Sequence, residues 1–345
     1  MRAWRIHRYG APSEALQLDD LDDLVPGPGE VRINAVAAAL NFNDIDMCRG
    51  RYPTINPPLP FRLGMEVAGI VDETSPGLEE WLGKRVVAVP TDGHGGYAEQ
   101  VLAQADMTFD APPTLNDTEA AGFVIAFQTA HLLLHRRGRI QAGETILIHS
   151  GAGGVGSAAI QLAVAAGATV FATAGGPTKL ALCRELGAQH VIDYRSENFA
   201  QRVLELTSGV GVDLIFDLVG GEVAHRSFEC IAREGRYLVA GFSGGITGGE
   251  AGLPPRPLCL GNFSVIGGMM AWRSDIDLSV QRAGGRFNPF SRQVGEDIHR
   301  DLLELLDHGR VRPVIGQTVE FSAIPAALED LEARKTVGKT VALIR

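Results

Sequence analysis

The hexapeptide Gly151-Ala152-Gly153-Gly154-Val155-Gly156 follows the apolar run Thr145–His149 and opens a stretch of helical spacing, Val155–Ala166, that stops at Gly167. Glycines at this spacing, between a strand and a helix, make a seat for a pyrophosphate. Gly151 permits the tight turn, Gly153 lets the backbone approach the anion, and Gly156 lets the helix pack against the sheet. The helix start at Gly154 and Val155 presents free N–H groups and a partial positive charge to the phosphates. Dinucleotide binding is the chemistry this pattern predicts.

The end of the next strand reads which dinucleotide. An Asp or Glu there accepts hydrogen bonds from the adenosine ribose and favours NAD. This chain instead runs Thr173-Ala174-Gly175-Gly176-Pro177-Thr178-Lys179, and its next acid is Glu185. Lys179 is placed to pair with a 2′-phosphate, and one charge-assisted hydrogen bond is worth roughly 1.5–3 kcal/mol, or one to two decades of preference. Tyr194, which with Arg195 ends the following strand on the same side of the sheet, fits either a cofactor contact or simple packing. The expected cofactor is NADP(H).

Other reactive residues point to less. The four cysteines, Cys48, Cys183, Cys230 and Cys259, stand far apart with no C-x-x-C pair, which gives neither a structural zinc pattern nor a disulfide framework. They read as reduced, mostly buried thiols. His131 and His135 have the i, i+4 spacing of two metal ligands, but no third ligand is evident, and His94 reads as a surface residue. A net charge of −10 argues against a nucleic-acid partner. MRAWRIHRYG has no apolar core of a secretory signal and no uncharged run reaches a membrane span, so cytoplasmic residence without membrane contact is expected.

At 345 residues the chain is long enough for two domains. Up to about residue 125, short β-like runs (Val31–Val36, Val67–Val71, Arg85–Val89) alternate with Pro/Gly turns. From near Thr118 to Gly268 the texture becomes βα: strands Thr145–His149, Ala168–Thr173, Val191–Tyr194, Asp213–Val219 and Arg236–Gly241, with helices Val155–Ala166, Lys179–Leu186, Ser196–Thr207 and Val223–Ala232 between them. Such alternation implies a doubly wound parallel sheet covered on both faces. A helix at Glu296–His308 and a strand at Thr340–Ile344 return to the earlier style. The expected division is a discontinuous β domain, 1–125 and 269–345, around an inserted nucleotide-binding domain, 126–268. The loops 244–257 and 273–293 read either as substrate lids or as surface insertions.

Six ordered blocks together resemble the medium-chain dehydrogenase/reductase superfamily, in its zinc-free NADPH:quinone oxidoreductase (zeta-crystallin-like) branch. They are the glycine motif, Asn41-Phe42-Asn43-Asp44 leading to Gly50-Arg51-Tyr52-Pro53, Pro60 through Gly69 with Gly64-Met65-Glu66 inside, Gly95-Gly96-Tyr97-Ala98-Glu99, Ala120-Ala121-Gly122 through Thr129-Ala130, and Gly338-Lys339-Thr340-Val341. The resemblance runs nearly end to end. It implies an α/β protein with a GroES-like irregular β domain built from both chain ends around a Rossmann-type domain. It also implies a homodimer, paired through the strand Phe263–Gly267.

Zinc-dependent members of the superfamily hold the metal through a Cys and through the His of a Gly-His-Glu triplet. Asn41 and Met65 stand at those positions, and the third, near Ile125, is apolar. No metal site is expected. By the resemblance, Asn41 and Tyr52 lie at the nicotinamide and substrate end, Asn41 to orient the cofactor and Tyr52 either to donate to the acceptor oxygen or to line the site. Asp44 either orients the Asn41 loop or caps a turn, and Asp46 stands where the family often has Tyr. Further cofactor contacts implied are Thr129, Gly241-Phe242-Ser243, Phe263 through Gly267, and Arg334. Without a Lewis acid, the acceptor must already be electrophilic, as quinones and conjugated carbonyls are. The rivals are an enoyl-thioester or alkenal reductase, with Arg49 and Arg51 as a phosphate patch, a non-catalytic NADPH-binding protein, and a zinc alcohol dehydrogenase.

Overall fold

The strand Glu30–Ala39 (β3) organises the first unit of the computed structural model, which describes residues 1–52, 55–244, 253, 255–274 and 288–344. Its length lets one edge pair with Glu66–Thr74 (β5) throughout. Its other edge is shared. Gln100–Gln104 (β7) pairs with Glu30–Asn34, and Lys339–Leu343 (β18) pairs with Ala37–Ala39. The strand near the C-terminus therefore completes the N-terminal sheet, which continues through Ile315–Glu320 (β17) on one side and Arg85–Ala88 (β6) and Thr108–Asp110 (β8) on the other. A second, three-stranded sheet joins Arg2–Ile6 (β1), Leu16–Asp20 (β2) and Phe61–Arg62 (β4). Ile33, Ala35, Val67, Val86, Tyr97 and Ala342 are among the core residues.

The second unit is a parallel sheet. Thr145–Ile148 (β9), Thr169–Ala174 (β10), His190–Asp193 (β11), Val212–Asp217 (β12), Ile231–Val239 (β13) and Ser264–Gly267 (β14) lie in the order β11-β10-β9-β12-β13-β14. The order reverses direction between β9 and β12. In doubly wound sheets, ligands bind at the carboxyl ends of the strands flanking such a switch point. The helices Gly154–Ala165, Pro177–Glu185, Phe199–Leu206 and Glu222–Ser227 make the crossovers. The α/β class with a GroES-like β domain and a Rossmann-type sheet is thus the observed architecture.

The units comprise residues 1–125, 271–303 and 313–345, and residues 126–270 and 304–312. They differ from the expected division at 269–270 and 304–312, which group with the parallel sheet. The helix expected over Val223–Ala232 ends at Ser227, and Ile231 already pairs with Val212 as the first residue of β13. Cross-strand burial overrides the helical spacing there. Residues 245–252, 254 and 275–287, within the two loops read as lids or insertions, lie outside the described residues. Among the described residues, no helix is long and apolar enough to cross a membrane.

One glycine fixes the register of the first sheet. β3 and β5 slip register between Ala35 and Ala37, and Gly69 faces Ala35 there. A Cβ on Gly69 would lie 2.2 Å from the Asn34 carbonyl oxygen. Glycine inside a strand marks such close backbone approach. Gly69→Ala is expected to lower stability by about 1–3 kcal/mol, read as a fall in the denaturation midpoint. An unchanged midpoint contradicts the placement of this bulge.

Candidate active site

The glycine turn follows β9 directly. Ser150 adopts a left-handed conformation, φ 55°. The Gly151 amide donates to the Thr173 carbonyl at 2.9 Å, and the Gly153 amide returns to the Ser150 carbonyl at 3.0 Å. A Cβ on Gly156 would lie 2.1 Å from that same Ser150 oxygen, and one on Gly151 would meet Ile160, Ala172 and Cys183 at 3.0–3.1 Å. Side chains at either position would push the helix off the turn. The amides of Gly154, Val155 and Gly156 belong to the first helical turn and have no acceptor within the helix. The turn therefore fits a pyrophosphate, which these amides would face while Gly153, lacking a side chain, lets it approach.

At the end of β10 the chain turns through Gly176 in the left-handed region, φ 92°, with two side chains close above the two glycines. A Cβ on Gly175 would stand 2.7 Å from the Tyr194 hydroxyl, and one on Gly176 would stand 2.7 Å from the Arg195 guanidinium. Tyr194 is 42% exposed over this turn. Lys179 is half-buried in the first turn of its helix. One feature corrects the sequence reading, which found no carboxylate here. Asp193 accepts from the Gly176 amide at 3.3 Å and from Arg195 Nη2 at 3.0 Å. Arg195 holds its carboxyl well below the usual range, at about 2, and balances the charge beside the turn.

The other expected contacts scatter along the same unit. Thr129 is half-buried on the helix Val124–His131. Gly241 follows β13, where a Cβ would lie 2.8 Å from the Leu218 carbonyl oxygen; Ser243 Oγ donates to that carbonyl at 3.0 Å, and Phe242 is exposed. Phe263 stacks on Phe228, with centroids 5.0 Å apart, and the Gly267 carbonyl accepts from Arg137 Nε at 2.9 Å. His131 and His135 lie side by side, ring centroids 4.6 Å apart, and burial pulls the His131 imidazole down to about 3. Among the described residues no group of three or more His, Cys, Asp or Glu could hold a metal ion.

In the first unit, the expected residues meet in a buried polar cluster. Glu66, fully buried, receives the Lys339 ammonium, the Asn41 amide at 3.2 Å and the backbone N–H of Ile125 at 3.0 Å. Lys339 Nζ also donates to Asn41 Oδ1 at 2.8 Å, while Asn41 Nδ2 reaches the Ala39 carbonyl at 3.2 Å. Both ends of the Asn41 amide are thus engaged within the protein. Asp44, on the helix Phe42–Cys48, accepts from the Asn41 amide N–H at 2.8 Å and from the buried Tyr97 hydroxyl at 2.5 Å. The Tyr52 hydroxyl accepts from Asn43 Nδ2 at 3.2 Å. Arg334 is exposed and left-handed, φ 57°.

The possible phosphate patch is already neutralised. Arg49 grips Glu332 at 3.1 and 2.7 Å, and Arg51 Nε donates to the buried Asp46 at 2.7 Å. His94, expected at the surface, is half-buried; its Nδ1–H donates to the Arg62 carbonyl at 3.1 Å, and its ring meets Phe61 edge-on. Three of the cysteines are buried and Cys259 is exposed.

Residues 27–113 match the alcohol dehydrogenase GroES-like domain model, and residues 154–283 the zinc-binding dehydrogenase model. A quinone oxidoreductase of Pseudomonas aeruginosa is 33% identical over 335 residues, 97% of each chain. The chain belongs to the quinone oxidoreductase-like branch of the medium-chain dehydrogenase/reductase superfamily. Escherichia coli quinone oxidoreductase complexed with NADPH superposes with a TM-score of 0.86 at 28% identity, covering 99% of this chain and 100% of that one. JamJ enoyl reductase in its apo form gives 0.82 at 28% identity, covering 99% and 98%. The chain spans 11% of the length of a Mycobacterium tuberculosis phthioceranic/hydroxyphthioceranic acid synthase, to which it is 38% identical over 229 residues.

The zinc in the matched family's description meets a poor donor set in this oxidoreductase. Asn41 is spent on Lys339 and Glu66, Met65 offers a thioether, and Ile125 offers only backbone. A catalytic zinc takes thiolate, imidazole or carboxylate ligands with an open position, and the Glu66 carboxylate is already paired with an ammonium.

Asp44 makes this cluster sensitive to pH. Burial raises its carboxyl to about 7, against the opposing hydrogen bonds from Tyr97 and Asn41 and the charge of Lys339, with Glu66 adding to the rise. Between the ordinary carboxylate range and about pH 7, the folded chain holds a proton that the unfolded chain has lost. Stability contributed by this group therefore falls as pH rises through that window, by at most about 1.4 kcal/mol per pH unit. Asp44→Asn is expected to remove that slope in denaturant unfolding measured at pH 5 and pH 7. Parallel profiles for the two proteins contradict it.

Proposed function

We propose that this oxidoreductase is a zinc-independent, NADPH-dependent reductase that passes hydride to a quinone or another conjugated carbonyl. The observation that carries the reading is the closed cluster of Lys339, Glu66 and Asn41, which leaves the family's metal position with an amide and an ammonium. NADPH, when bound, supplies the hydride. Residues 151–156 would hold its pyrophosphate, while Lys179, Tyr194 and Arg195 gather hydrogen-bond donors where a 2′-phosphate would lie. The NADPH-bound Escherichia coli relative supports this choice of cofactor.

A carbonyl without a Lewis acid accepts hydride only if the added charge spreads through conjugation. The protein then contributes placement, with donor and acceptor carbons about 3–3.5 Å apart, and hydrogen bonds to the developing oxyanion. Tyr52 is the proposed donor. Its oxygen already accepts from Asn43, which polarises the O–H toward an acceptor. Asn41, with Asp44 behind it, is better read as holding the Lys339 and Glu66 charges than as a direct cofactor ligand. Thr129, Gly241, Phe242, Ser243, Phe263, Gly267 and Arg334 remain proposed cofactor contacts. The exposed edge of β14, with Val265 36% exposed, is the proposed seam of a homodimer.

A second acceptor class, an enoyl thioester, is favoured by the likeness to JamJ enoyl reductase. The ion pairs at Arg49 and Arg51 weigh against the phosphate contact such a substrate would want.

Purified protein is expected to oxidise NADPH with a small para-quinone and with an enone, and not with a simple ketone. Lys179→Ala is expected to lower kcat/KM for NADPH about 10- to 100-fold and to leave NADH unchanged. Reduction of the simple ketone at a comparable rate contradicts the reading. Binding of NADPH without turnover on any acceptor makes the chain a binding protein instead.

A further inference from the structure

Directly before the glycine turn, His149 is buried, 1% exposed, and holds two hydroxyls from two different elements. Its Nδ1 lies 3.0 Å from Thr173 Oγ1 at the end of β10. Its Nε2 lies 2.9 Å from Ser227 Oγ, at the end of the helix Glu222–Ser227. Ser227 Oγ donates its own proton to the Val223 carbonyl at 2.6 Å, so it can only accept from the ring. The imidazole is therefore the neutral Nε2–H tautomer, and Nδ1 accepts from the Thr173 hydroxyl. Phe199 closes the ring's edge, with centroids 4.7 Å apart at 74°. None of this cluster is used by the hydride chemistry above.

What it borders is the nucleotide cradle. Ser150 follows in the left-handed region, which a non-glycine residue occupies at a cost and keeps only where its surroundings over-determine it. Its carbonyl oxygen packs against Gly156 and receives the Gly153 amide. Thr173 grips this turn twice, through its carbonyl to the Gly151 amide and through its hydroxyl to His149. The His149 backbone N–H donates to the Phe216 carbonyl at 3.0 Å, which fastens the same residue to β12. The ring thus links β9, β10 and the helix after β12 on both sides of the switch point.

We infer that His149 is a positioning residue for the pyrophosphate turn, holding Ser150 through Gly156 in the shape that presents the amides of Gly154, Val155 and Gly156 to a dinucleotide. The inference rests on the proposed NADPH-dependent function. It assigns His149 to the part of the cofactor common to NADPH and NADH, unlike Lys179, which faces only the 2′-phosphate. Its removal therefore weakens both cofactors by the same factor and leaves the bound complex competent.

Direct titration of NADPH and NADH, with steady-state kinetics, tests this on the full chain. His149→Phe keeps the ring volume and deletes both hydrogen bonds. It is expected to raise the Kd of both dinucleotides about 10-fold, with the NADPH/NADH ratio unchanged and kcat at saturating NADPH within about two-fold of wild type. His149→Asn places an amide oxygen near the Nδ1 position, keeps the Thr173 arm, and is expected to recover part of the loss. Thr173→Val removes only the donated hydroxyl and is expected to shift both Kd values in the same direction by a smaller factor; it decides the matter if His149→Phe does not fold. Unchanged Kd values, a changed cofactor ratio, or a loss confined to kcat overturns the inference. Failure of the wild-type chain to bind either dinucleotide overturns the functional reading beneath it.

Discussion

Glu66 carries its carboxylate where water does not reach, and a buried charge must be paid for by partners. Lys339, Asn41 and the Ile125 amide provide them. Losing one member of a buried pair leaves the other uncompensated, a cost of about 3–5 kcal/mol in comparable sites. The cluster therefore ties four parts of the chain together: the turn after β3, the start of β5, the start of the helix Val124–His131 and the start of β18. It also engages the Asn41 side chain, which by the resemblance stands where zinc-dependent relatives place a metal-binding Cys. Structure and chemistry are set by the same contacts, since an Asn41 amide fastened at both ends is a strut.

The parallel sheet follows a similar logic. Its glycine turn has few side chains to bind with; the function proposed for it is to offer backbone N–H groups, and backbone offers them only when held in shape. Close contacts at Gly151 and Gly156 provide part of that hold. The hydroxyls of Thr173 and Ser227 around His149 add to it. A preorganised anion site of this kind rests on a layer of satisfied polar groups beneath it.

Much of the fold was legible because the signals were local. β5 and β9 are β-branched or apolar runs with Gly or Pro soon after them, β3 opens after Gly29, and the glycine hexapeptide sits where strand gives way to helix. β1, with the mixed sequence RAWRI, carries no such signal, and it is a strand because β2 and β4 flank it. Ile231 looked helical and is a strand residue because Val212 lies beside it. The site was less legible than the fold. Lys339 and Glu66 are 273 residues apart, and no spacing rule pairs them. Asp193 and Arg195 reach the Gly176 turn only because β11 is the parallel neighbour of β10. Asn43 was read as part of a family block, and its contact with Tyr52 depends on how the chain returns after the helix Phe42–Cys48.

The central claim is that an ammonium–carboxylate–amide cluster stands in this oxidoreductase where a metal would otherwise act. Metal analysis of the purified protein, paired with quinone reduction by NADPH before and after exhaustive chelation, tests it most directly. The account predicts substoichiometric zinc and an unchanged rate. A tightly held equivalent of zinc, with activity lost on chelation and restored by adding zinc back, would contradict it.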